Sequence, residues 1–458
     1  MITPLGEVMK LANLILYLSL VGLPANAYAQ NIRHGTINVR ESWVRHYASG
    51  QASAIALDNL GNVYVTGSSD SIGQGSDFLT IKYSPDGVQR WVVRYNGRAD
   101  SSDHTTRIAV DATGNVLVTG LSSGLGTGYD FATVKYTPFG VEQWVARYNG
   151  PGNSVDWPSA LVTDSSGNVY ITGLSAGSGT DWDYATIKYN SEGIVQWIVR
   201  YNGTGNSVDL PNDLSVDATG NVYVTGRSFD PHTSHDYLAI KYSADGAQQW
   251  VARYNGPADS TDEAFALAVD SLGNVYVTGS SDDPRSGYDY ATVKYNADGI
   301  QQWVTRHNGL GNSWDAAHDL AVDASGNVYV TGNGVGSNTG YSDYATIKYS
   351  PDGVQQWVAS YNGPGNGLDH AFFIALDSAA NIYVCGGSDG SGTERDYATI
   401  KYNPDGVQQW VARYDGPANL RDEVAGLAID AQGNVYVTGT STDSHKKKNY
   451  TTIKYVQP

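Results

Sequence analysis

Trp250-Val251-Ala252-Arg253-Tyr254-Asn255-Gly256 is the stretch from which the rest of the chain can be read. It is short, β-branched and aromatic, and Asn-Gly closes it, so it reads as one strand running into a turn. Its tryptophan recurs at positions 43, 91, 144, 197, 250, 303, 357 and 410, most steps being 53 residues. Three further runs of the same character lie between successive tryptophans. In one repeat they are Leu320-Ala321-Val322-Asp323, Asn327-Val328-Tyr329-Val330-Thr331-Gly332 and Asp343-Tyr344-Ala345-Thr346-Ile347-Lys348-Tyr349. Turn residues separate them: Asp323-Ala324-Ser325-Gly326-Asn327 is a tight hairpin connection, and Asp352-Gly353 is another. Four strands in ~50 residues, repeated throughout, describe propeller blades.

The phase of the repeat decides how the ring shuts. With A naming the Leu-Ala-Val-Asp strand nearest the axis, each blade runs A, B, C, D, and D carries the tryptophan. The chain opens on a D strand (Trp43 to Tyr47) and closes on a C strand (Asn449 to Tyr455). An open solenoid would leave both as bare edges, whereas joining them completes an eighth blade. The expectation is an all-β, eight-bladed β-propeller with four antiparallel strands per blade. It spans residues 42–455 as a single domain, and the N-terminal strand completes the last blade.

Gly273-Asn274-Val275-Tyr276-Val277-Thr278-Gly279 and Asp289-Tyr290-Ala291-Thr292-Val293-Lys294-Tyr295-Asn296-Ala297-Asp298-Gly299 resemble the bacterial seven-bladed β-propeller repeat family, the SBBP repeat. The resemblance covers residues 42–455. It implies a propeller in an exported bacterial protein and little about activity; eight copies here depart from the seven of the family's description.

Composition agrees. Glycine at 53 and tyrosine at 33, against methionine at 2, describe a turn-rich, aromatic chain with no helical periodicity. A net charge of −18 excludes the basic surface that nucleic acid or anionic lipid requires. The one cysteine, Cys385, forbids an intrachain disulfide and takes a slot where the other repeats carry threonine, so it reads as a small buried residue.

Residues 1–29 read as an export signal. Leu11 to Leu23 is apolar, and Ala27-Tyr28-Ala29 offers a cleavage site. The run is too short to span a membrane comfortably. Met9-Lys10 gives a better charged start than Met1, and residues 30–41 form a short lead-in. The mature protein is expected in the periplasm, outside the cell or at its surface, not inserted in the membrane, and monomeric.

Comparison among the eight copies separates scaffold from site: a residue in every blade serves every blade. The aspartate ending strand A (Asp58 to Asp430), the lysine of strand C (Lys82 to Lys454) and the arginines Arg94, Arg147, Arg200, Arg253, Arg306 and Arg413 read as scaffold. Two acidic series border the face formed by the D–A and B–C connections. Asp103, Asp156, Asp209, Asp262, Asp315, Asp369 and Asp422 precede strand A; Asp77, Asp130, Asp183, Asp236, Asp289, Asp343 and Asp396 begin strand C. Loop capping is the plainer reading of both. The first series is also a candidate for cation binding, Ca²⁺ by its carboxylate chemistry, with no other cofactor expected.

The slot just before the strand C aspartate varies: Tyr129, Trp182, His235 and Tyr288 in blades two to five, with Ser76, Ser342, Arg395 and Lys448 in the others. Trp157, His104 and Trp314 lie in the same sector. An aromatic arc beside carboxylates suits a glycan, a peptide or a surface protein; packing of loops onto neighbouring blades is the alternative. For catalysis the candidates are His104, His318 and His370 at the channel mouth, as a lyase or hydrolase would use them. His46 and His307 read as occupying the strand D tyrosine slot, and His232 with His235 is a weak metal-ligand pair. Neither a phosphate loop nor a Gly-x-Ser-x-Gly elbow is read in the chain.

Overall fold

The computed structural model describes residues 39–71, 75–309, 314–336 and 340–457. The expected signal at residues 1–29 lies outside them, as does most of the 30–41 lead-in. The described residues form eight four-stranded antiparallel sheets. Blade four is typical: Asp209–Val216, Val222–Asp230, Ser234–Tyr242 and Gln248–Tyr254, hydrogen-bonded in that order. Each A strand lies against the A strand of the next blade, and Glu423–Ile429 of blade eight lies against Gln51–Leu57 of blade one, which closes the circle. The final sheet takes Arg40–Tyr47 as its outer strand, antiparallel to Lys448–Val456 with Trp43 opposite Lys454.

Burial falls from the middle of each blade outwards. The Val-Tyr-Val-Thr run of strand B is covered on both faces because each sheet is packed between two others. Strand D alternates exposed and half-buried residues, as an outer strand should. The A–B turn is an aspartate cap. Asp217 Oδ1 accepts from the N–H groups of Thr219 and Asn221, while Oδ2 accepts from Asn221 Nδ2 and the Tyr223 hydroxyl, all at 2.8–3.0 Å.

Blades are clasped to one another by the two residues that make the repeat visible. The Trp250 indole N–H and Lys241 Nζ both donate to the carbonyl of Ala297, in the C–D turn of the next blade, at 3.1 and 3.2 Å. The lysine therefore reaches across to the neighbour rather than lying along its own blade. The turn glycine belongs to the same contact: Gly299 has φ +79, and a Cβ there would sit 2.6 Å from the Trp250 ring.

Two slot assignments need correction. His46 pairs with Thr451, the register at which Arg147 pairs with Ala132, so it occupies the arginine slot and only His307 takes the tyrosine's. The letters Gly-x-Ser-x-Gly do occur, at Gly120–Gly124, Gly173–Gly177 and Gly386–Gly390. No helix follows them, and Ser122, Ser175 and Ser388 accept from Arg147, Arg200 and Arg413 at 2.5 Å, so they are scaffold serines.

Candidate functional site

The D–A and B–C connections meet on one face. Asp315 N donates to Tyr288 O and Asp422 N to Arg395 O, both at 2.7 Å, tying the D–A loop of one blade to the B–C loop before it. The D–A aspartates are buried beneath that face. Asp209 Oδ2 accepts from Gly203 N at 2.6 Å and Oδ1 from Phe229 N at 3.0 Å. Asp156, Asp262 and Asp369 repeat this pair of backbone bonds, as do Asp103, Asp315 and Asp422. Burial still outweighs those bonds and raises their carboxyl pKa values, to about 6 in Asp262, Asp315 and Asp422. Asp422 also lies with Asp396 and Asp415 in a group whose carboxylate oxygens are within 4.8 Å of one another, while Asp396 keeps Arg413 as a counter-ion at 2.8 Å.

The aromatic slot residues begin their C strands in one register. Tyr129 lies opposite Ser123, Trp182 opposite Ala176, His235 opposite Phe229 and Tyr288 opposite Asp282. All four are half-buried. Three of the four meet another ring. Tyr288 meets Trp314, which is 38% exposed, at 5.7 Å; Tyr129 meets His104 at 6.5 Å; His235 meets Phe229 edge-on at 5.3 Å. Trp157 and Trp182 both belong to blade three and are partly exposed. His235 is neutral at pH 7: burial, reinforced by Arg227, pushes it down to about 4. Its Nε2 is turned inwards while His232 is exposed, so the two do not converge on one point.

Of the three candidate catalytic histidines, two are brought together. His318 and His370 flank Phe372, with ring centroids 5.3 and 6.1 Å from it, and Phe265 continues the row from His318 at 5.7 Å. His104 is on blade two, across the ring from blade six. His318 Nε2 is 2.7 Å from Asn333 Oδ1, and His370 Nε2 is 2.7 Å from Ser342 Oγ. Burial lowers both histidines, His370 to about 3, where Arg395, His318 and Arg421 add repulsion.

Comparing sequences alone misses the channel wall. Every A strand carries a bulge, after Pro158, Pro211 and their equivalents, which turns the next residues towards the axis. The residue after the bulge is alanine in blades one, three and five but Arg107, Asp213 and Asp319 in blades two, four and six. Arg107 is solvent-exposed although protein surrounds it on all sides, as a side chain in an open central channel must be. Both aspartates sense its charge, and Asp319 also senses that of Asp213. They also bridge blades: Asp213 Oδ2 accepts from Leu267 N and Asp319 Oδ2 from Ile374 N, both at 2.9 Å. Charged residues in a slot otherwise filled by small or apolar ones were the available sequence signal.

Residues 46–73, 143–179, 249–284 and 409–445 match the beta-propeller repeat family SBBP. Four stretches of the ring thus match the SBBP repeat. Among curated proteins, this chain is 24% identical over 450 residues to an uncharacterized WD repeat-containing protein, L264, of Acanthamoeba polyphaga mimivirus, covering 80% of this chain and 31% of that one. It is 26% identical over 289 residues to the regulatory protein FlaEY of Caulobacter vibrioides, covering 57% of this chain and 26% of that one. It therefore spans less than a third of either relative. Among solved structures, Drosophila Plexin A in complex with Semaphorin 1b aligns with a TM-score of 0.47 at 11% identity, over 92% of this chain and 88% of that one. A protein of unknown function from Dyadobacter fermentans aligns with a TM-score of 0.42 at 8% identity, over 92% and 99%.

Proposed function

We propose that this propeller is an exported, non-catalytic interaction scaffold whose D–A/B–C face docks a protein partner on the aromatic arc of blades two to five. One observation carries the reading. In a chain whose blades otherwise repeat, the slot at the start of strand C holds half-exposed rings in four consecutive blades, two of them backed by other rings of the same face. Rigid rings give contact area at low entropic cost. A saccharide is the other ligand this surface suits, because Trp182 and Tyr288 offer flat faces near carboxylates. Export rests on the apolar run and cleavage site of residues 1–29.

The test is a screen of displayed peptides and arrayed glycans against the mature chain, repeated with Trp182→Ala and Tyr288→Ala. Binding lost at an unchanged melting midpoint supports the arc as a ligand surface. Equal loss of stability would make the rings packing residues.

A hydrolase reading draws on one contact, that between the Ser342 hydroxyl and His370 Nε2 at 2.7 Å. The surroundings oppose it. The charged groups around His370 are cations, whereas an orienting carboxylate is what raises a histidine's basicity. Ser342 itself is buried. Labelling of Ser342 by a fluorophosphonate would reverse this conclusion.

A further inference from the structure

In blades two, three, four, five and seven the aspartate that begins strand C is paired with the D-strand arginine of its own blade, at 2.8–3.2 Å. Each of these carboxylates also accepts from the hydroxyl three residues before it, on Thr127, Thr180, Thr233, Ser286 or Thr393. A strand B serine, such as Ser122 or Ser388, holds the guanidinium, and the D-strand tyrosine of the preceding blade, such as Tyr95 or Tyr361, holds it from the other side.

Blade six loses every part of this socket except the carboxylate. By register, Ser360 stands where the arginine should be, opposite Ala345. Gly334, opposite Asp343, replaces the serine. His307 replaces the tyrosine, and Gly340 replaces the hydroxyl residue. Asp343 is nonetheless 8% exposed. Its Oδ1 is bare, as in the sister blades, and among the described residues nothing pairs with Oδ2 either. A buried carboxylate is costly without a counter-charge, and here the side chains in the slots beside it are shorter than those of the sister blades. In the sister blades the arginine is 15–24% exposed, so the socket reaches solvent at its outer end.

We propose that the vacated socket bounded by Asp343, Ser360, Gly334 and His307 receives a guanidinium group from outside the chain, an arginine side chain of a partner, in the position that five other blades fill with their own. The shape of the socket selects this cation: its sister copies enclose a flat donor between a carboxylate and strand B oxygens, and a single carboxylate is too few ligands for Ca²⁺. The inference does not depend on the aromatic arc.

The test is thermal unfolding of the full chain at pH 7.5 and constant ionic strength, with low-millimolar N-acetylarginine methylamide, guanidinium or methylammonium. The expected result is a saturable rise in midpoint with the first two and none with methylammonium. Ser360→Arg should raise the starting midpoint and abolish the response. Asp343→Asn, which keeps the volume and removes the charge, should abolish it too, and settles the matter if Ser360→Arg does not fold. No response to the arginine derivative, a response to methylammonium of the same size, or a response that survives Asp343→Asn would overturn the proposal.

Discussion

Trp410 donates its indole N–H to the side-chain oxygen of Gln457 at 3.1 Å, and Lys401 Nζ donates to the same atom at 2.8 Å. In the other blades these two donors meet a backbone carbonyl of the next C–D turn, but blade eight has no such turn because the chain's two ends meet there. Gln457 supplies the missing acceptor, anchored through its Nε2 to the Gly433 carbonyl and the Tyr383 hydroxyl. Gln457→Ala should therefore lower stability by about 1–3 kcal/mol, the cost of leaving buried donors unmade. Urea unfolding checks this; Gln457→Glu, which keeps the acceptor, should lose less.

Closure makes a larger demand on the first strand. Trp43 is 6% exposed, and both it and Lys454 donate to the Pro85 carbonyl. Trp43→Ala should cost ~3–5 kcal/mol, and deleting residues 42–47 should expose the strand Lys448–Val456 and cause aggregation. An unchanged melting curve after the deletion would contradict the ring.

Cys385 replaces one partner of a repeated pair. In blade three Thr172 and Thr186 share a hydrogen bond at 3.0 Å, but in blade seven Cys385 faces Thr399, whose hydroxyl is buried without a partner. Cys385→Thr should restore that bond and stabilise the chain by about 0.5–1.5 kcal/mol, measured by urea unfolding.

Asp319 joins blades six and seven by accepting from the N–H groups of Leu320 and Ile374. Asp319→Ala should destabilise by about 1–3 kcal/mol, since it strands two half-buried donors. Asp213→Ala should act alike between blades four and five, where Leu214 and Leu267 lose the same acceptor.

The share of stability that rests on Asp319 and Asp343 should fall as pH rises from 6.5 to 8, read as the difference between the urea midpoints of the parent chain and its Asp319→Asn and Asp343→Asn variants. Burial lifts both Asp319 and Asp343 to about 7, above the unfolded carboxyl value, so each favours folding while protonated and loses that contribution as it ionises. The histidines whose pKa values burial lowers act in the opposite direction: neutral in the folded chain but partly protonated in the unfolded one near pH 6.5, each gains stability as pH rises. Each aspartate accounts for ~1 kcal/mol of the decline. Asp343→Asn should remove its share. At the acid end the sign reverses: Asp217, held down at about 2 by its hydrogen bonds, and Asp111, Asp164, Asp270, Asp323 and Asp377, lowered in the same way, lose their stabilisation once protonated.

The reading of scaffold residues from repetition was right about what they serve and incomplete about how. Asp58 and its seven equivalents cap turns, as the Asp-x-x-x-Asn spacing shows by itself, because an aspartate bonding its own turn is a local matter. The lysine and tryptophan partners were not legible, since they lie 56 and 47 residues away, on the next blade. His318 and His370 could be placed near the mouth, but Phe372 between them, and Ser342 beyond, emerge only from the packing.

Strand count, phase and the need for closure follow from the amino-acid sequence alone, because each repeat carries its own turns and its own period-two apolar pattern, and an unpaired strand at each end has one physical remedy. What the tertiary structure decided is everything that depends on adjacency between blades. It placed Arg107, Asp213 and Asp319 on a common channel wall, put Gln457 where a turn is missing, and left Asp343 buried beside Ser360 instead of an arginine. Those relations join residues far apart in the chain, and the physics that sets their cost, burial and charge, acts through space.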